Sequence, residues 1–234
     1  MAAGTQLRVY PEPAEVFVAD QVDLARHLHP LVSIDLAQVD PAWHGWIHLV
    51  SPLEPAEGYL GDHTQAFHSA LQTTNWLGFA MDGDRYRLLG DIRYFARATT
   101  HEEVPEPWEG FRSGLNEHCA RQERSYQAHR ESFRLEGTLL RLDDQGSPLY
   151  GTRDPVALLD QLGGHADAHS NWADPDLFQL EYDDDHAWPV SPAGNRFHFV
   201  AAVPGWHYRR GGADQIVLFF EPVDRLALLT FDWS

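Results

Sequence analysis

The sequence predicts an α+β protein, an antiparallel twisted sheet with several helices packed on it. It is read as one domain over 1–234, with two lobes, about 1–133 and 134–234, as the alternative. Three observations carry this. Short runs of alternating or continuous apolar residues, bounded by Gly, Pro and Asp, recur as strands do. Segments with apolar residues three and four apart are mixed among them, as amphipathic helices are. The regular strand–helix alternation of a doubly wound parallel sheet is absent.

The first expected helix covers roughly 14–29, where Phe17, Leu24 and Leu28 share one helical face. WHGWIHLV (43–50) reads as a strand, broken by Pro52 and Pro55. A short helix is expected at about 62–72, with Asp62 as N-cap. The stretch 75–100 reads as a hairpin turning at Asp82-Gly83-Asp84. The clearest helix is 107–133, with Trp108, Phe111, Leu115 and Cys119 in one stripe and His118 and His129 off it.

RLEGTLLRL (134–142) reads as a strand closed by the turn DDQGS. DPVALLDQLGG (154–164) is punctuated as a helix: Asp154 at the N-cap, Pro155 at the first position and Gly163 past the end. Further strands are expected at 176–182, 196–203, 216–220 and 226–233. The last two flank the Pro-Asp turn EPVDR and are apolar enough to be covered on both faces.

Charge separates the plausible partners. Thirty-five acidic residues face 17 basic ones, a net charge of −18, and every basic residue is arginine. Without lysine there is no Schiff-base chemistry and no phosphate-loop lysine. The acidity argues against nucleic acid, whose binding relies on basic patches, and suits a cationic protein partner. It also serves solubility alone. The stretch 143–185 holds eleven acidic residues against Arg153, a net charge of −10.

Cys119 is the single cysteine, which excludes an intrachain disulfide and a thiolate-rich zinc site. The start lacks a basic region followed by an apolar run, and no run approaches the roughly 20 apolar residues of a membrane helix. A cytoplasmic protein without membrane attachment is the expectation. Oligomeric state has no signal.

The order LGG (162–164), LFQLEYDDD (177–185) and GADQIVLFFEPVDRLALLTFD (212–232) resembles the C-terminal half of the YwqG-like proteins. Gln179 matches the glutamine of that family's strand, and Phe219, Phe220 and Asp224 fall where its paired aromatics and following acid stand. The family's Trp-Gly-Asp element has no counterpart before the last strands. The resemblance implies an α+β protein with a large twisted sheet, a bacterial protein of the kind suspected of partner binding, including immunity to toxins. It implies no catalytic residues.

Three histidine and aspartate positions raise a metal question. His165, Asp167 and His169 would face one side of a strand and could hold zinc or iron, with a water completing a hydrolase-like site. A polar loop after a helix cap explains the same residues. With 14 histidines, chance gives about one pair four apart; two occur, 44/48 and 165/169. Cys119 on an apolar stripe reads as a core thiol. The loop GWHYRRGGAD (205–214), with Arg209 and Arg210, could take an anion or simply join strands. No cofactor motif is present.

The leading expectation is therefore a non-catalytic binding protein, an immunity-type inhibitor of a basic partner. Asp183, Asp184, Asp185 and Trp188 would form its contact surface, with Trp172 and Trp206 as further anchors. The alternatives are the metal-dependent enzyme and a structural domain with no site.

Overall fold

The computed structural model describes residues 7–143, 145–168 and 170–233. It corrects the expected fold class. Among those residues the chain is mostly sheet, fourteen strands in four sheets, and about 25% helical, rather than several helices packed on a sheet.

The chain runs β1 (Leu7–Val9), a one-turn α1 (Pro13–Val16), a 3-10 stretch at Ala19–Arg26, β2 (Leu28–Asp35) and β3 (Trp46–Pro52). Then come β4 (Gln72–Thr73), β5 (Trp76–Asp82), β6 (Arg85–Leu88) and α2 (Phe111–Glu136). The remainder is β7 (Leu139–Leu140), β8 (Pro155–Val156), β9 (Gln161–Leu162), β10 (Leu180–Tyr182), β11 (Ala187–Pro189), β12 (His198–Val203), β13 (Gln215–Glu221) and β14 (Leu226–Asp232). One sheet is β1-β2-β3. The largest, of seven strands, is β4-β5-β14-β13-β12-β9 with β6 beside β5; β7-β8 and β10-β11 are two-stranded. Paired strands run antiparallel throughout these sheets.

Three expected helices are absent, each for a physical reason. Over 14–29 the backbone turns extended at Phe17, and Gln21 leaves helical geometry. His29 precedes Pro30, which disfavours the helical region, and pairs with Ser51 in β3. Phe17, Leu24 and Leu28 are all buried, but from the extended link after α1, the 3-10 stretch and β2 respectively. Over 62–72 only Gln65–Phe67 coils, as a 3-10 turn. The punctuated stretch 154–164 instead gives β8 and β9, because Pro155 and Val156 pair with β7 and Leu162 pairs with Ala201. The strand expected over 134–142 shrinks to β7, since α2 runs on to Glu136 and ends at Gly137, whose φ of +70° suits glycine.

The local signals that agree with tertiary pairing form as expected. Gly83, at φ +61°, and Asp84 make the two-residue turn between Asp82 and Arg85, with the positive φ a hairpin loop needs. In the β13–β14 turn the buried Glu221 carboxylate accepts the amides of Val223 at 2.6 Å and Asp224 at 2.7 Å.

Alternation gives the seven-stranded sheet two apolar faces. Leu77, Phe79, Ile216, Leu218, Phe220, Leu229 and Phe231 face β1-β2-β3 and Tyr126 of α2. Trp76, Val217, Phe219 and Leu228 face the other way, onto Trp172, Phe178 and Ala187. The acid-rich segment 165–190 is therefore held to the sheet by its own core. The N-terminal half of α2 packs Phe111, Leu115 and Cys119 against Leu53 and Ala96.

Candidate functional site

The acid-rich segment folds as a small exposed hairpin. In its ladder Leu180 pairs with Pro189, Glu181 with Trp188 and Tyr182 with Ala187. Residues 181–185 are all exposed, while Ala187 and Pro189 turn into the core. The hairpin thus presents Glu181, Asp183, Asp184 and Asp185 outward from a buried base.

Asp183 organises the tip. Its Oδ1 accepts the amide of Asp185 at 3.0 Å and of His186 at 2.8 Å. His186 Nδ1 donates to the same oxygen at 3.1 Å. The Asp185 amide, followed by the other bonds to His186, holds the Asp183 carboxyl below the usual carboxylate range. Among the described residues, no ion pair is formed by Asp184 or Asp185, so their charge faces solvent.

Trp188 is half-buried and carries neighbours of its own. The Arg196 guanidinium lies 4.4 Å above its ring centroid and pairs with Glu181, with Nε to Oε2 at 2.8 Å. The rings of His186 and His165 lie 5.9 and 6.2 Å from it. At the base of the hairpin, Pro175, Leu177, Val190 and Pro192 line an open groove of about 500 Å³ beside Asp176.

The other expected anchors fall differently. Trp172 is 1% exposed, packed edge-on to Trp76 and Phe219, so it cannot touch a partner. Trp206 is half-buried under the Arg141 guanidinium, 4.3 Å from its centroid.

The expected metal ligands lie beside the hairpin. His165 and Asp167 are exposed, Asp167 bridges to His186, and the His165 and His186 rings are 4.6 Å apart. His169 lies outside the described residues. Among the described residues, no group of three or more His, Cys, Asp or Glu side chains comes together to hold an ion. Of the other histidine pair, His44 is exposed ahead of β3, while His48 is buried between Ser33 Oγ at 2.7 Å and the Asp84 carbonyl at 2.6 Å.

A second polar group, which the sequence did not disclose, is internal. Arg209 of the 205–214 loop is 1% exposed. It donates to His29 Nδ1 at 2.9 Å and to the Pro52 carbonyl. His29 Nε2 donates in turn to Glu123 Oε2 on α2 at 2.8 Å. The loop's arginine is thus turned inward, while Arg210 stays exposed. Glu123 and His29 are 94 positions apart, and no motif links them.

Cys119 is buried in the helix stripe, and burial pushes its thiol up to about 11, far from a nucleophile's range. No family model matches this chain, and neither does a curated protein or a solved structure.

Proposed function

We propose that this protein is a non-catalytic binding domain, an immunity-type inhibitor that captures a basic protein partner on the β10–β11 hairpin. The carrying observation is the run of exposed residues 181–185, with four carboxylates in five positions on a buried base. Opposed charge would steer encounter, and the apolar groove beside Leu177 and Val190 would receive a side chain of the partner. The resemblance to the YwqG-like proteins, a cytoplasmic location and the absence of nucleic-acid partners belong to the same proposal. Among the described residues, no helix is long and apolar enough to cross a membrane.

An arginine-rich peptide serves as probe. Replacing Asp183, Asp184 and Asp185 by Asn should slow its association about fivefold at low salt and much less at high salt. An unchanged rate at low salt removes the hairpin from this reading.

A further inference from the structure

We propose that the Glu123–His29–Arg209 chain is an acid-sensitive latch, which ties the 205–214 loop to β2 and α2 only while His29 is uncharged.

The hydrogen bonds fix the protonation state. Arg209 has only donors, so His29 Nδ1 must offer its lone pair. Glu123, when ionised, has only acceptors, so His29 Nε2 must carry the proton. The neutral Nε2–H tautomer satisfies both partners, and no other state does. A second proton on His29 would point an N–H at the guanidinium.

Charge balance gives the same answer. With His29 neutral, Arg209 and Glu123 cancel across the ring. Protonated His29 would add a positive charge at a ring 2% exposed, beside Arg209 at 1% and Tyr126 at 4%, answered only by the Glu123 carboxylate, whose side chain is 47% exposed.

The groups facing His29 come from three elements. From α2 come Glu123 and Tyr126, whose ring stacks on the imidazole at 4.0 Å. From the loop comes Arg209, and from the 3-10 turn Ala96–Ala98 comes Arg97. Both arginines disfavour the imidazolium, Glu123 favours it, and burial outweighs all of them.

The loop's attachment to α2 runs through neighbouring contacts. The Arg210 amide donates to Ser125 Oγ at 2.8 Å. Among the described residues, Arg209 Nε has no hydrogen-bond partner, so its bonds to His29 and Pro52 hold the guanidinium in place. The latch concerns the interior and does not depend on the binding role proposed for the hairpin.

Hydrogen exchange of the Arg210 amide, corrected for its intrinsic pH dependence, is the test. In the wild type, protection should fall about tenfold per pH unit as pH drops below the ordinary histidine value, flattening where native His29 takes up its proton. In His29→Asn the amide oxygen can still accept from Arg209 but cannot titrate, so protection should change less than about twofold over that range. Equal pH dependence in the two proteins overturns the latch. Nitrogen NMR of the His29 ring in the wild type decides independently if the variant fails to fold. Loop opening must track His29 protonation, and a charged ring beneath a protected Arg210 amide refutes the proposal.

Discussion

The Tyr86 hydroxyl satisfies both backbone groups of His48. It accepts the His48 amide at 2.9 Å and donates to the His48 carbonyl at 2.6 Å. Tyr86 lies on β6 of the seven-stranded sheet and His48 on β3 of the three-stranded one, so one side chain substitutes for a strand partner between two sheets. Tyr86→Phe keeps the ring, stacked on Phe79 at 4.6 Å, but leaves an amide and a carbonyl in the core without their partner. The expected loss is about 2–4 kcal/mol, read from urea denaturation. A loss under about 0.5 kcal/mol would show that the two groups find other partners.

Trp172 separates a core role from an anchoring one. Trp172→Ala should cost about 3–5 kcal/mol, because the ring fills the space between Trp76 and Phe219. A variant as stable as the wild type but poorer at binding a basic peptide would reverse this assignment.

Buried histidines should make the protein acid-labile. Burial lowers His27, His29 and His48 from 6.5 to about 4. The unfolded chain then takes up protons first, so the stability these rings contribute is complete above pH 6.5 and is lost as pH falls from 6.5 through about 4. Each fully buried ring represents on the order of 3 kcal/mol. Glu54 works in the opposite sense: burial raises it to about 7 against the Ala96 and Arg97 amides, so its contribution falls as pH rises from 4.5 through 7. Three rings against one carboxyl leave a net loss toward acid. Urea midpoints at pH 7 and 4.5 check it, and equal midpoints would refute it.

Cys119 should be silent toward thiol reagents in the native protein. Burial within the α2 stripe and a thiol raised to about 11 both oppose attack. One equivalent should react in denaturant, and rapid labelling of the folded protein would mean that α2 lifts readily from Leu53 and Ala96.

Sequence patterns were informative where local chemistry and tertiary pairing agree. The Gly83-Asp84 turn, the Pro222-containing β13–β14 turn and the stripe of Phe111, Leu115 and Cys119 are cases of this kind, while Trp108, expected in the same stripe, precedes α2 and is 45% exposed. Local signals misled where a distant strand competed. Asp154, Pro155 and Gly163 mark a helix by residue type, yet Leu162 is claimed by Ala201 and Val156 by Leu139. The second half of α2 buries Gln122, Ser125 and His129, a polar face that a search for apolar periodicity passes over. The acidic hairpin was visible as composition. The burial of Trp172 and the inward turn of Arg209 were not, since both depend on which elements meet across the chain.

The pairing of β5 with β14 has a cost in time. Leu77 lies opposite Leu229, and Trp76 opposite Thr230, across most of the chain's length. Each local hairpin can close quickly, but until the two meet, each carries apolar side chains on both sides with nothing to cover them. Such non-local encounters are slow, and unpaired strands invite the wrong neighbour. The refolding yield of this protein should therefore fall steeply with concentration, with the failed fraction recovered as aggregates rather than as monomer.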